Sequence, residues 1–269
     1  MTADFIQPAT SPVEPFYRLY ADLVRTAGAR FSAEHGLGGL LVYSGEIGRA
    51  PDPCSAQLPG RQLLFAANIA GAASIAASAD TLAQREAIRD GAVDFFVTSL
   101  EEALRILKNE IRKRQAVSVG VAITPEKLVE AMAHRGVLPD LRLPALLLPA
   151  NSPDTAIFLR QRTRAIELSP PHGGDYVTWS TDRESARWLP KLSLCAQTAI
   201  PANDAPRQRW LRLAPRYLGR MAHRQHGVAL SPLESELFTA QAKQLLYQAC
   251  GTCTQPTTIS INGEQVTVS

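Results

Sequence analysis

The chain has 269 residues, a formal net charge of +3, 45% hydrophobic residues and 20% charged ones. These values suit an ordinary soluble protein of one large or two small domains and exclude a disordered or strongly polybasic chain. Aromatic residues make up only 6%, too few for a broad stacking platform, so nucleic acid is not expected as a partner.

Residues 1–15 read as an N-terminal arm, because Pro8, Pro12 and Pro15 interrupt regular structure. The same stretch lacks the basic start and apolar core of a secretory signal. No run reaches the roughly 18 apolar residues of a membrane span, so the expected location is the cytoplasm, with no membrane partner. From Phe16, the residues Leu19, Tyr20, Leu23 and Val24 recur at helical spacing. Leu40 to Tyr43 is a short apolar run read as a buried strand, followed by a polar loop to Gly60. Leu63 to Ala67 fits either a strand or the first turn of a helix.

Ala72 to Ala77 is small and apolar and leads to Asp80. Thr81 to Asp90 reads as a helix stopped by Gly91. Val93 to Val97 reads as a strand, and Ser99 with Glu102 reads as a capping box opening the next helix. Leu100, Ala103, Leu104, Leu107 and Ile111 supply that helix's buried stripe. Ala116 to Ile123 is a strand; Thr124 and Pro125 start a helix that stops at Gly136. Leu143 to Leu148 is a further strand. Strand and helix thus alternate over 16–150, which predicts an α/β domain: a Rossmann-like parallel sheet with helices on both faces.

Residues 151–269 form a smaller, mostly helical α+β C-terminal domain. Asp154 to Leu168 is read as a helix or a strand pair, and Tyr176 to Trp179 as strand. Pro206 to His226 is helical in pattern, with a kink expected at Pro215. Ser231-Pro-Leu-Glu234 is a capping box for a helix reaching about Ala249. The chain closes with alternating residues around Asn262-Gly263, a hairpin signal.

Several segments taken in order resemble urocanase. Gln62-Leu-Leu-Phe-Ala-Ala-Asn-Ile-Ala-Gly71 is similar to the family segment that begins Gln-Pro-Leu-Ala-Ala. Ile88-Arg-Asp-Gly91 lies where that family has an Arg-rich helix and a Gly turn. Thr98-Ser-Leu-Glu-Glu-Ala-Leu104 is similar to its Asp-Leu-Asp-Glu-Ala-Leu. Ala116-Val-Ser-Val-Gly120 resembles its Ser-Val-Gly strand, and Arg135-Gly-Val-Leu-Pro-Asp140 its Arg-Arg-Gly-Val-x-Pro-Asp. The resemblance runs from about Gly39 to Leu143. It implies a Rossmann-like domain with NAD as cofactor, held as a tightly bound electrophile. The implied cofactor-binding residues are Gly45, Gly48, Arg49, Gln62, Asn68, Asp80 and Thr124. Asp80 has two readings, an acid for the ribose hydroxyls or the N-cap of the following helix.

The departures from the family bear on chemistry. Its dense glycine loop becomes Ser44 to Gly60, with only Gly45, Gly48 and Gly60 left and with Glu46 and Asp52 added. Its Gly-Asn-Ala-Ala-Asp becomes Val121-Ala-Ile-Thr-Pro-Glu126. The polar run after its Pro-Asp becomes Leu141-Arg-Leu-Pro-Ala-Leu-Leu-Leu-Pro149. These changes imply a urocanase-like protein that is not a urocanate hydratase and that binds a small nucleotide, NAD or another, at the strand C-terminal edge. The alternatives are a non-catalytic structural or interaction protein and a small NAD-dependent lyase or oxidoreductase. No catalytic residue is identified, and a homo-oligomer is expected.

Two other features carry residue types suited to chemistry. Cys250-Gly-Thr-Cys253 is a CxxC pair after a helix, read as structural rather than as a redox or zinc site; with Cys54 and Cys195 it makes no disulfide framework, and no metal is expected. Arg207 to His226 carries six arginines and two histidines with no acid from Ala205 to Leu233. It suits an anionic ligand, nucleic acid or an acidic partner, but the favoured reading is an amphipathic helix with a solvated basic face. His172-Gly173-Gly174 is read as an ordinary turn.

Overall fold

The computed structural model describes residues 11–48, 59–144, 163–169, 176–249 and 256–268. Helix α1 (Glu14–Ala27) buries Phe16, Leu19, Tyr20 and Leu23, the face given by their spacing. A six-stranded sheet comes next: β1 (Leu41–Glu46), β2 (Ala73–Ala77), β3 (Phe95–Val97), β4 (Val117–Val121), β5 (Leu141–Arg142) and β6 (Arg164–Ala165). Its order is β3-β4-β2-β1-β5-β6, and every pairing is parallel. Helices α2 (Pro59–Ala70), α3 (Thr81–Asp90), α4 (Leu100–Lys113) and α5 (Pro125–His134) make the crossovers.

Alternation along the strands decides what each face meets. Leu41, Tyr43, Ile75, Val119 and Val121 join Leu100, Ala103, Leu107, Leu128 and Met132 of α4 and α5. Val42 and Ala76 turn to the other face and join α1, α2 and Ala87 of α3. The chain is therefore α/β, with helices on both faces of a parallel sheet.

Local chemistry explains the boundaries. Leu63 to Ala67 resolves as helix, within α2. Asp80 caps α3, accepting from the Leu82 N–H at 2.8 Å, and Gly91 closes it at φ 78°. Ser99 accepts from the Glu102 N–H at 3.3 Å. The Glu102 carboxylate, however, accepts from Thr98 N and Oγ1 at 2.9 and 3.1 Å, one residue further back than a standard box. β5 lies at Leu141–Arg142; most of the strand expected at Leu143 to Leu148 falls outside the described residues. β6 comes from beyond position 150 and still joins the parallel sheet.

The C-terminal part contains a second, antiparallel sheet of order β10-β9-β7-β8, from β7 (Tyr176–Thr181), β8 (Gln225–Ala229), β9 (Thr257–Ile261) and β10 (Glu264–Val268). Asn262 (φ 48°) and Gly263 (φ 88°) make the expected hairpin turn. Helices α6 (Ser185–Ala199), α7 (Ala205–Leu218) and α8 (Pro232–Gln248) accompany it. Here the expected helix to His226 needs correction. It ends at Leu218, where Gly219 turns at φ 50°, and His226 lies in β8.

The two parts share one apolar cluster. Trp210 of α7 packs edge-on against Tyr17 and tilted against Tyr20 of α1, with centroids 5.1 and 5.2 Å apart. Arg209 donates from Nε to the Ile69 carbonyl at 2.7 Å, so a cation meets the C-terminal end of α2, where the helix dipole favours it.

Candidate functional site

In an open parallel sheet a ligand binds outside the strand C-termini, where successive crossovers leave in opposite directions. Here that point lies between β1 and β5. The connection from β1 runs to β2 on one side, and β5 joins β1 on the other.

The end of β1 is shaped for close approach. Its register slips between Tyr43 and Gly45, and Gly45 takes φ 84°, a conformation that favours glycine. Ile47 continues to pair with β2, its N–H donating to the Ala77 carbonyl at 2.8 Å. The Gly48 carbonyl accepts from Arg61 Nη1 at 3.3 Å.

Gly60 sits in the first turn of α2. A Cβ there would lie 2.3 Å from the Glu46 carbonyl oxygen and 2.8 Å from that of Ser44. Only glycine lets the helix start so close to the strand, the role of the third glycine in a dinucleotide-binding turn. In the sequence Gly60 stands out only as a surviving glycine of the loop, with nothing to show this contact.

The expected site residues divide by location. Gly45, Gly48, Gln62, Asp80 and Thr124 all lie along the strand C-terminal edge. Gln62 is in the first turn of α2 and buried. Asp80 and Thr124 are the N-caps of α3 and α5; Thr124 Oγ1 accepts from the Lys127 N–H at 3.4 Å. Arg49 lies outside the described residues. Asn68 is at the opposite edge, near the C-terminus of α2. Its Oδ1 accepts from Ser118 Oγ at 3.0 Å, and Ser118 is 2.9 Å from Ser74 Oγ. Both serines are the second residues of their strands, so this buried trio holds α2 to the sheet away from the crevice.

Four residues at the crevice carry no signal in the sequence. Arg61 is 7% exposed and its Nη2 donates to Asp90 Oδ2 at 2.6 Å, with Glu86 3.9 Å away. It ties the start of α2 to the end of α3. Tyr43 and Arg142 are register partners across β1 and β5, so their side chains share one face at the crevice. Arg142 is buried and donates to Thr163 Oγ1 and the Leu143 carbonyl at 2.8 and 2.9 Å. Among the described residues, Tyr43 Oη and Ser44 Oγ are buried without a hydrogen-bond partner. Burial, then the charges of Glu126 and Glu46, hold the Tyr43 phenol well above its ordinary pKa, so it stays a neutral donor. No pattern in a single sequence marks such orphans, because they arise from packing.

Residues 57–143 match the family model of the urocanase Rossmann-like domain. The segment is similar to the urocanase Rossmann-like domain, and it runs from the start of α2 to the end of β5. The strand that carries Gly45 precedes the matched segment, yet it forms the centre of the sheet. No curated protein matches the chain.

Outside the matched segment, the basic segment is partly internal. Arg207 donates to both Glu234 oxygens at 2.6 and 2.8 Å and to Asp204 at 2.7 Å. Arg212, Arg216, Arg220 and Arg224 are exposed. His226 is buried against Ser193, with Nδ1 and Oγ 2.8 Å apart, and desolvation lowers its pKa to about 4. Cys195 is half-buried, and burial raises its thiol pKa. Cys54, Cys250, Cys253 and His172-Gly173-Gly174 lie outside the described residues. Among the described residues, no His, Cys, Asp or Glu group is arranged to hold a metal, and no helix is long and apolar enough to cross a membrane.

Proposed function

We propose that the chain is a urocanase-related nucleotide-binding protein that holds NAD, or a nucleotide like it, at the β1/β5 crevice and does not hydrate urocanate. The observation that carries this reading is the start of α2 pressed against β1 at Gly60, beneath a glycine bulge at Gly45. Together they allow backbone N–H groups to approach a pyrophosphate at a helix N-terminus.

The residues present fit such a ligand. Among the described residues, Tyr43 Oη and Ser44 Oγ beside the crevice are buried polar groups without partners, and a ligand hydrogen bond would offset the cost of leaving them unpaired. Gly45, Gly48 and the first turn of α2 at Gln62 would take the phosphates. Asp80 would take the ribose, and the N-terminus of α5 at Thr124 would extend the polar edge. Asn68 belongs to the scaffold in this reading.

Loss of hydratase chemistry is supported by the residues after Asp140. Leu141 and Leu143 turn into the core, 2% and 4% exposed, where the family has a polar run. Arg142 is the polar group left in that position, a cation suited to a phosphate rather than to acid–base work on an imidazole.

A thermal-shift series with NAD, ADP-ribose and AMP tests this. Ligand at 100 times its dissociation constant should stabilise the fold by about 2.7 kcal/mol. Asp80→Asn separates the two roles of that residue, because Asn caps a helix about as well as Asp. The expected outcome is an unchanged melting temperature without ligand and a reduced NAD shift. An undiminished shift removes Asp80 from the site, and no shift with any of the three ligands refutes the proposal.

A further inference from the structure

A second polar groove lies on the antiparallel sheet, apart from the β1/β5 crevice. The register places Gln265 opposite Ser260, Ser260 beside Ser180, and Ser180 beside Gln225. One row of hydrogen-bonding side chains thus crosses all four strands. Alternation explains why it is accessible: Val177, Trp179, Ile259 and Ile261 turn inward and are buried, whereas Ser180 and Ser260 stay half-exposed on the other face. Short serines in the centre with glutamines at the ends leave a hollow floor. The groove above it measures about 510 Å³, the size of a small-molecule site.

The rim is cationic. Arg220, His223 and Arg224 come from the turn between α7 and β8, and all three are exposed. His223 Nδ1 donates to the Arg220 carbonyl at 2.5 Å, which fixes that turn. Neither Arg220 nor Arg224 has an ion pair among the described residues, in contrast to Arg207, which has two acids. The one carboxylate among the described lining residues, Asp182, accepts from the Thr258 N–H at 2.8 Å and so is bound to the sheet backbone. Two guanidinium groups without an ion pair among the described residues, over a floor of hydroxyls and amides, offer many donors at one place, the chemistry that recognises an oxyanion. Among the described residues no Phe, Tyr or Trp lines the groove, so the broad ring that usually receives a base is missing there.

We propose that this groove binds a small phosphorylated molecule lacking an aromatic base. Arg220 and Arg224 hold the phosphoryl oxygens, and Ser180, Ser260 and the two glutamines meet the remaining polar groups. The site is independent of the nucleotide reading and stands or falls separately.

Calorimetric titration of the full chain with inorganic pyrophosphate tests it, with citrate as the carboxylate comparison. The expected result is saturable pyrophosphate binding that weakens about tenfold or more in Arg220→Gln/Arg224→Gln, with the ligand-free melting temperature unchanged. Should that double variant lose stability, Ser260→Asp serves instead; it places a negative charge on the floor and is expected to abolish binding. Absence of pyrophosphate binding, or equal affinity in a folded variant, overturns the proposal. Equally tight citrate binding overturns the assignment to phosphate.

Discussion

Glu234 offers a stability test with a definite sign. Its carboxylate accepts from both Arg207 nitrogens and from the Ser231 N–H at 2.8 Å, and it completes the capping box of α8. The Arg207 hydrogen bonds come first in holding its pKa at about 2, against an ordinary value of 4.5. The full difference corresponds to about 3 kcal/mol at neutral pH. The two side chains are 22% and 12% exposed, so screening leaves about 2 kcal/mol. Glu234→Gln keeps a capping side chain and removes the charge, and it should lower the melting temperature by about 5 °C at pH 6. A depressed carboxyl pKa stabilises above the unfolded value and loses that contribution as pH falls toward the folded one. The gap between wild type and variant should therefore shrink by more than half by pH 3, as followed by circular dichroism. A gap that is absent at pH 6, or unchanged at pH 3, would refute the account of this pair.

Two further substitutions probe the crevice. Gly60→Ala places a methyl 2.3 Å from the Glu46 carbonyl oxygen, so α2 must move; the expected cost is about 1–3 kcal/mol, seen as a lower melting temperature together with loss of the NAD-induced shift. A variant as stable as wild type would contradict the close packing. Tyr43→Phe removes a buried hydroxyl without a partner, so the ligand-free protein should be as stable or slightly more so, while NAD affinity falls. A marked drop in ligand-free stability would show that the hydroxyl has a partner in the folded protein.

Much of the fold was legible because its signals are local. Asp80 and Gly91 bracket α3, Ser231 and Glu234 open α8, and Asn262-Gly263 turns the last hairpin. Each works through its own backbone within a few residues. Helix α6 was not legible. Its N-cap, Glu184, makes no side-chain cap bond, and Pro190 lies inside it, where proline ordinarily marks a break. The end of α7 was misplaced because the basic, apolar-periodic pattern continues past Leu218 into a strand. β5 and β6, of two residues each, are too short to carry a period.

For the candidate site, the family resemblance named glycines and helix caps that the fold places along the strand C-terminal edge. It did not separate Asn68, whose polar partners Ser74 and Ser118 come from two different strands. Neither did it show that Gly60 touches β1, or that Tyr43 lies beside Arg142. These facts depend on strand order, which a single sequence does not display.

Hydrogen exchange with and without saturating NAD tests the central claim most directly, since it reports where a ligand sits as well as whether it binds. The account predicts slowed exchange at residues 45–48, 60–63 and 80–83, at the C-terminal edge of β1 and β2, with the amides around Asn68 unchanged. No slowing at that edge, or slowing confined to the opposite edge, would contradict it.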